Sequence, residues 1–133
     1  VRCGFSYYGH VRGQARPRFS KFGVYKVKAD KEYEAALRRA YIDAGGQSFG
    51  NKPVQVFVDI QRALPKSTPK YIKSQVDVQK FDLDNMLKSV LDALNGLAWE
   101  DDKQVVRITA QKLPRVHQEL DYIQVTVTDE VGQ

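Results

Sequence analysis

An α+β domain, a small mixed sheet of about four strands with two helices on one face, is the architecture this sequence predicts. Three observations predict it. Four stretches alternate apolar and polar residues, two longer stretches carry apolar residues at helical spacing, and their order is β-α-β-α-β-β. The chain has 133 residues, 42% hydrophobic and 28% charged, which suits a single domain over 1–133 with one core.

Each element has its own signal. Val1, Cys3, Phe5 and Tyr7 alternate with Arg2, Gly4 and Ser6, the pattern of a half-buried strand. Residues 9–23 are rich in Gly, Pro and Arg and read as a loop, with a short extra strand expected over 22–27. Asp30 suits an N-cap. Tyr33, Ala36, Leu37, Ala40, Tyr41 and Ala44 then follow helical spacing until Gly45-Gly46 ends the run. Val54, Val56, Val58 and Ile60 give a second strand with one fully apolar face. Residues 62–81 show no period and are expected to be a long loop, the kind that is usually functional. A second helix is expected from about Asp84 to Leu94. Val106, Ile108 and Ala110 mark a third strand and Ile123, Val125 and Val127 a fourth, with Pro114 to Gln118 expected to join them as an antiparallel hairpin.

Charge is segregated. The net charge is +5 and the pI about 9.3. Residues 1–28 hold Arg2, Arg12, Arg16, Arg18, Lys21, Lys26 and Lys28 without one acid, and 61–80 hold Arg62, Lys66, Lys70, Lys73 and Lys80 against Asp77 alone. This favours a polyanionic partner, because each neutralised phosphate releases counterions. No run of about 18 apolar residues marks a membrane span. Nor does the N-terminus carry a secretory pattern, and Cys3 has no partner cysteine. A cytoplasmic protein with no membrane partner is the expectation.

The informative stretch is Lys80-Phe81-Asp82-Leu83-Asp84-Asn85-Met86-Leu87-Lys88, followed by Trp99-Glu100-Asp101-Asp102-Lys103. On the second helix Met86, Leu87, Val90, Leu91, Ala93 and Leu94 fall in one arc of about 160°, which packing explains. Asp84 and Lys88 share the opposite face near the helix start. Asp82 and Asp84 enter the helix on an extended or turn segment, so both carboxylates can point the same way. Such a pair repels itself unless a cation lies between, and hard oxygen ligands suit Mg²⁺ or Mn²⁺. A helix N-terminus also welcomes phosphate. Asn95-Gly96 signals a turn after the helix, so about seven or eight extended residues can return along its roughly 15 Å. Asp102 then completes a three-carboxylate cluster, with Asp101 and Glu100 as alternatives by spacing.

Simpler roles compete with these. Asp82 or Asp84 can be an ordinary N-cap, Lys88 a surface lysine, and Trp99 a core residue. An EF-hand starting at Asp82 is excluded, since Leu87 and Ala93 stand where it needs Gly and Glu. His10 and His117 lack zinc-type spacing, and no Walker pattern is present.

These blocks resemble the RusA family of Holliday junction resolvases, in its phage and prophage form. The resemblance rests on Asp82-Leu83-Asp84-Asn85, Lys88, Asp92-Ala93-Leu94, Trp99-Glu100-Asp101-Asp102 and Gln104-Val105, with Arg16-Pro17-Arg18-Phe19 upstream. It implies that Asp82, Asp84 and Asp102 are the essential metal ligands, that Asp102 rather than Asp101 is the acid used, and that Lys88 serves catalysis. It also implies a homodimer that cuts four-way DNA junctions with Mg²⁺. Phe81 departs from the family, which often carries Pro or a basic residue there, and is expected to pack. Arg12, Arg16, Arg18 and Lys80 are the expected DNA contacts. Two other readings stay open: a nuclease for flaps, forks or general duplex, and a nucleic-acid-binding module without catalysis.

Overall fold

The computed structural model of the chain describes residues 1–14, 18–20, 23–25 and 28–131, and the side chains of 1–14 and 28–131. In chain order the elements are β1 (Arg2–Gly9), the short β2 (Arg18–Ser20) and β3 (Gly23–Tyr25), then α1 (Lys28–Asp43) and β4 (Val54–Gln61). There follow β5 (Ser74–Gln75), α2 (Leu83–Leu94), a 3-10 turn (Asp102–Gln104), β6 (Val105–Lys112), β7 (Arg115–Val116) and β8 (Asp121–Thr128). The fold is α+β, as its periodicities predict. Four long strands form a mixed sheet and both helices pack on its apolar face.

The strand order is β1-β8-β4-β6, with β8 antiparallel to both β1 and β4, and β6 parallel to β4. The expected hairpin between the last two long strands is therefore absent, because β4 lies between β6 and β8. The physical reason is burial. Val54, Val56, Val58 and Ile60 are all fully inside, so β4 needs a neighbour on each side, whereas β6 leaves Val106 and Ile108 exposed and tolerates an edge. The register lines up Phe5, Val125 and Val58 across three strands on the face that the helices cover. Tyr33, Leu37 and Tyr41 of α1 and Met86, Val90 and Leu94 of α2 close the core over them.

Two further expectations change in detail. Asp30 is not an N-cap, since α1 already runs from Lys28. Its buried carboxylate instead accepts from Arg12 Nε at 3.0 Å. The 62–81 stretch is not wholly irregular: β5 pairs with β7, and Ala63 bridges to Val116. The short strand expected over 22–27 is β3, paired with β2.

One consequence of topology matters for function. The chain leaves β4, crosses back through α2 and enters β6 in the same direction as β4. The start of α2 therefore lies at the C-terminal end of β4, and the end of α2 at its N-terminal end.

Candidate active site

Helix α2 begins where the extended Asp82 (φ −67°, ψ 146°) hands its carbonyl to Met86 N–H at 3.1 Å. The apolar face of the helix is buried through Met86, Val90, Ala93 and Leu94. That burial turns the other face outward, and Asp82, Asp84 and Lys88 are all exposed. Asp82 occupies the N-cap position but its side chain makes no capping hydrogen bond. Ordinary capping is thus not what its carboxylate does. Among the described residues no hydrogen bond or ion pair engages the side chain of Asp82, Asp84 or Lys88.

Beside this acidic start lies a surface recess of about 340 Å³ lined by Arg12, Gln14, Lys80, Phe81, Asp82 and Asn85. The 11–14 segment forms one wall. Gln14 N–H donates to the Asn85 carbonyl at 3.2 Å, and its side-chain amide donates to Asp92 at 2.7 Å. Arg12 is 23% exposed and paired with buried Asp30, so its charge both anchors the wall and faces the recess. Lys80 is exposed, its ammonium 5.1 Å from the centre of the Phe81 ring. Phe81 packs, as expected, and it packs on Gly13. A Cβ at Gly13 would meet Phe81 Cβ at 2.8 Å. Gly13→Ala should therefore lose about 1–3 kcal/mol of stability through overpacking. Urea unfolding would read it, and an unchanged midpoint would show that the ring yields freely. Arg16 lies outside the described residues, as does the side chain of Arg18.

The second acidic group is held elsewhere. Residues 98–104 dock on the turn before β4: Phe49 N–H donates to the Ala98 carbonyl at 2.7 Å and Glu100 N–H to Gly50 at 3.1 Å. The Gln104 amide donates to the Gly50 and Lys52 carbonyls at 2.7 and 2.9 Å. Trp99 is buried, as its packing role predicts, and its indole N–H donates to Asp102 Oδ1 at 2.8 Å. Asp101 caps the 3-10 turn, accepting from Lys103 N–H at 3.1 Å. Meanwhile Lys112 and Arg62, at the opposite ends of β6 and β4, both donate to the Gln79 carbonyl, at 3.2 and 3.3 Å. Asp82 thus sits at one end of the sheet and Asp102 at the other, with the 12 residues of α2, about 18 Å of helix, between them. Among the described residues no three His, Cys, Asp or Glu side chains group closely enough to hold a metal ion. The convergence of Asp82, Asp84 and Asp102 expected from helix length is not formed within one chain. The chain after α2 does not turn back along the helix, because Gln104 fastens it to the 50–52 turn.

Sequence reasoning missed the groups that shape the approach to Asp82. Arg62 Nε and an Arg62 terminal nitrogen donate to the two Asp77 oxygens at 2.8 and 2.6 Å, both side chains buried. Lys112 adds a third charge at 3.9 Å from Asp77. Burial alone would raise the Asp77 carboxyl pKa, but the Arg62 hydrogen bonds and charge, with Lys112, overcome it and hold the group below the ordinary carboxylate value. Arg115 secures the next turn by donating to the Gln79 side chain at 3.1 Å. One signal in the sequence pointed here: Asp77 is the only acid between 61 and 80.

The chain is 32% identical to the Bacillus subtilis (strain 168) protein named Uncharacterized protein YqaN, over 84% of this chain and 90% of that protein. Residues 9–128 match the family described as Endodeoxyribonuclease RusA, a span that runs from the last residue of β1 to the last of β8 and takes in both helices and both acidic groups. The chain belongs to the RusA family of endodeoxyribonucleases.

Proposed function

We propose that residues 1–133 act as one Mg²⁺-dependent, structure-selective endonuclease domain that, as a cytoplasmic homodimer, resolves Holliday junctions by paired phosphodiester hydrolysis. The carrying observation is the pair of exposed acids, Asp82 and Asp84, without partners among the described residues and set at a helix N-terminus beside a basic recess. Two exposed carboxylates two residues apart repel each other, and a cation held between them would relieve that repulsion.

The donor set fits the ion. Mg²⁺ takes hard oxygen ligands and commonly uses one or two carboxylates, completing its shell with water and substrate phosphate. Asp82 and Asp84 would hold it, with Mn²⁺ as a substitute, and Asp102 is the third acid of this reading. Because Asp102 stands at the far end of α2 in its own chain, we assign to the dimer the role of bringing a second copy of Asp102 to each Asp82–Asp84 pair. Bound there, the ion supplies Lewis acidity at the scissile phosphate and a water of lowered pKa. The protein supplies the rest. The N–H groups at the start of α2 and the Lys88 ammonium place positive charge where the phosphate gathers negative charge. Arg12 and Lys80 in the recess, with Arg16 and Arg18 upstream, hold the backbone in register. Two sites related by a twofold match the two symmetric cuts that a four-way junction requires.

A single gel tests the reading. Incubated with a synthetic four-way junction, a flap, a fork and a linear duplex, the protein should nick the junction in symmetric pairs with Mg²⁺ and leave it intact with EDTA. Equal cutting of all four substrates would reduce the reading to a general nuclease. Binding without cutting in any divalent metal would reduce it to a DNA-binding module.

A further inference from the structure

The segment between β4 and α2 carries a feature that the cleavage reading does not use. Val76 and Val78 are 76% and 82% exposed, and Tyr71 is 80% exposed. Asp77, between the two valines, is buried against Arg62. The chain therefore alternates, sending its acid inward and both valines to solvent. Nor is this a slack loop tip. His117 Nε2 lies 2.9 Å from the Ile72 carbonyl, β5 pairs with β7, and Lys112, Arg62 and Arg115 all hold Gln79. A buried ion pair costs desolvation, and here it fixes two bare β-branched side chains in water, which no folding argument rewards. Lys66, Lys70, Lys73 and Lys80 flank them, all exposed, and the one acid of the segment is neutralised inside. Such a surface repels a second copy of itself and attracts a polyanion.

We propose that residues 71–80 form a ridge that recognises DNA branch points, with Tyr71, Val76 and Val78 against unstacked bases and the four lysines on the neighbouring phosphates. Exposed apolar and aromatic groups reward contact with a base face, and a branch offers faces that a continuous duplex keeps stacked. The lysines add affinity for any DNA, and the apolar groups add the preference. The ridge ends at Lys80, on the rim of the recess that holds Asp82. A base gripped there leaves its phosphate beside the acids. The inference rests on the junction-cutting reading for its choice of substrate.

The test compares the full-length protein with Val76→Ser/Val78→Ser and Tyr71→Ala, by fluorescence anisotropy in EDTA, on a four-way junction and on a duplex of the same sequence. Each variant should bind the junction about five- to thirtyfold more weakly and the duplex within about twofold of the original protein. Lys66→Gln/Lys70→Gln should instead weaken both substrates alike and lessen the salt dependence. Unchanged junction affinity in the valine and tyrosine variants, while the original protein binds and cuts junctions, sinks the ridge and leaves the nuclease reading standing. Selective loss of junction binding in a protein that cuts nothing upholds the ridge and removes the nuclease. A dimer that dissociates on Val76→Ser/Val78→Ser in sedimentation, with DNA affinity per protomer unchanged, overturns the proposal in favour of a subunit contact.

Discussion

Asp82→Asn should slow DNA cleavage at least about a thousandfold, roughly 4 kcal/mol of barrier, while the protein folds and binds DNA as before. The carboxylate is exposed, caps nothing and meets no partner among the described residues, so its loss removes no native contact that the structure shows. Surface changes of this kind stay within about 0.5 kcal/mol of stability. Taking one negative charge from beside the phosphate should if anything tighten binding. Single-turnover cleavage in Mg²⁺, set beside anisotropy in EDTA, separates the two effects. Cleavage within tenfold of the original would remove Asp82 from the chemistry. Asp102→Asn should be equally slow, and mixing the two dead proteins gives the sharper result. If each site takes Asp82 and Asp84 from one chain and Asp102 from the other, a mixed dimer has one ruined site and one intact site, and nicking returns. If all three acids act within one chain, both sites stay dead. Recovery of single nicks in the mixture is the expected outcome, because one chain keeps these acids at opposite ends of α2.

The long elements were legible because burial writes them into the sequence. Val54, Val56, Val58 and Ile60 alternate since only one face of β4 meets the helices, and Met86, Val90 and Leu94 recur at helical spacing for the same reason. Neighbour choice in the sheet was not legible. Two strands joined by a short link read as a hairpin, yet β4 enters between them, because its full burial demands two neighbours and β6 can live at an edge. The acidic residues were legible as a chemical type, but their meeting was not. Spacing said only that residues 97–102 are long enough to reach back. The amide of Gln104, which fastens them to Gly50 and Lys52, has no signature in any local pattern. Pairing between distant residues escaped in the same way: nothing near Arg12 says that Asp30 awaits it, and the lone acid at 77 does not say which of the five cations in 61–80 it will take.

That last pair carries the largest stability effect expected of any substitution away from the core. Asp77→Asn should destabilise the protein by about 3–5 kcal/mol, since it strands a buried guanidinium whose two donating nitrogens lose a charged acceptor. For a chain of 133 residues this lowers the melting temperature by roughly 10–18 °C. The pH dependence has a definite sign. The Arg62 hydrogen bonds, with help from Lys112, hold the folded Asp77 pKa below its unfolded value despite the opposing pull of burial. The stabilisation is therefore complete above the ordinary carboxylate value, near 4, and fades as pH falls through the lower folded value. Urea melts should show a constant gap between the two proteins from pH 7 to 5 that narrows in acid, where the original protein protonates the same group. A gap under about 1 kcal/mol at pH 7 would mean that solvent reaches Arg62 readily. Replacing both partners, Arg62→Met with Asp77→Leu, removes the stranded charge and should recover most of the lost stability. It should not recover junction cutting. The apolar pair fills the volume, but it has no donor for the Gln79 carbonyl, and the chain from 77 to Asp82 keeps only the Lys112 and Arg115 bonds to Gln79 to set its path into the recess. A doubly substituted protein that is stable yet slow would separate the two duties of the clasp, folding the segment and aiming it.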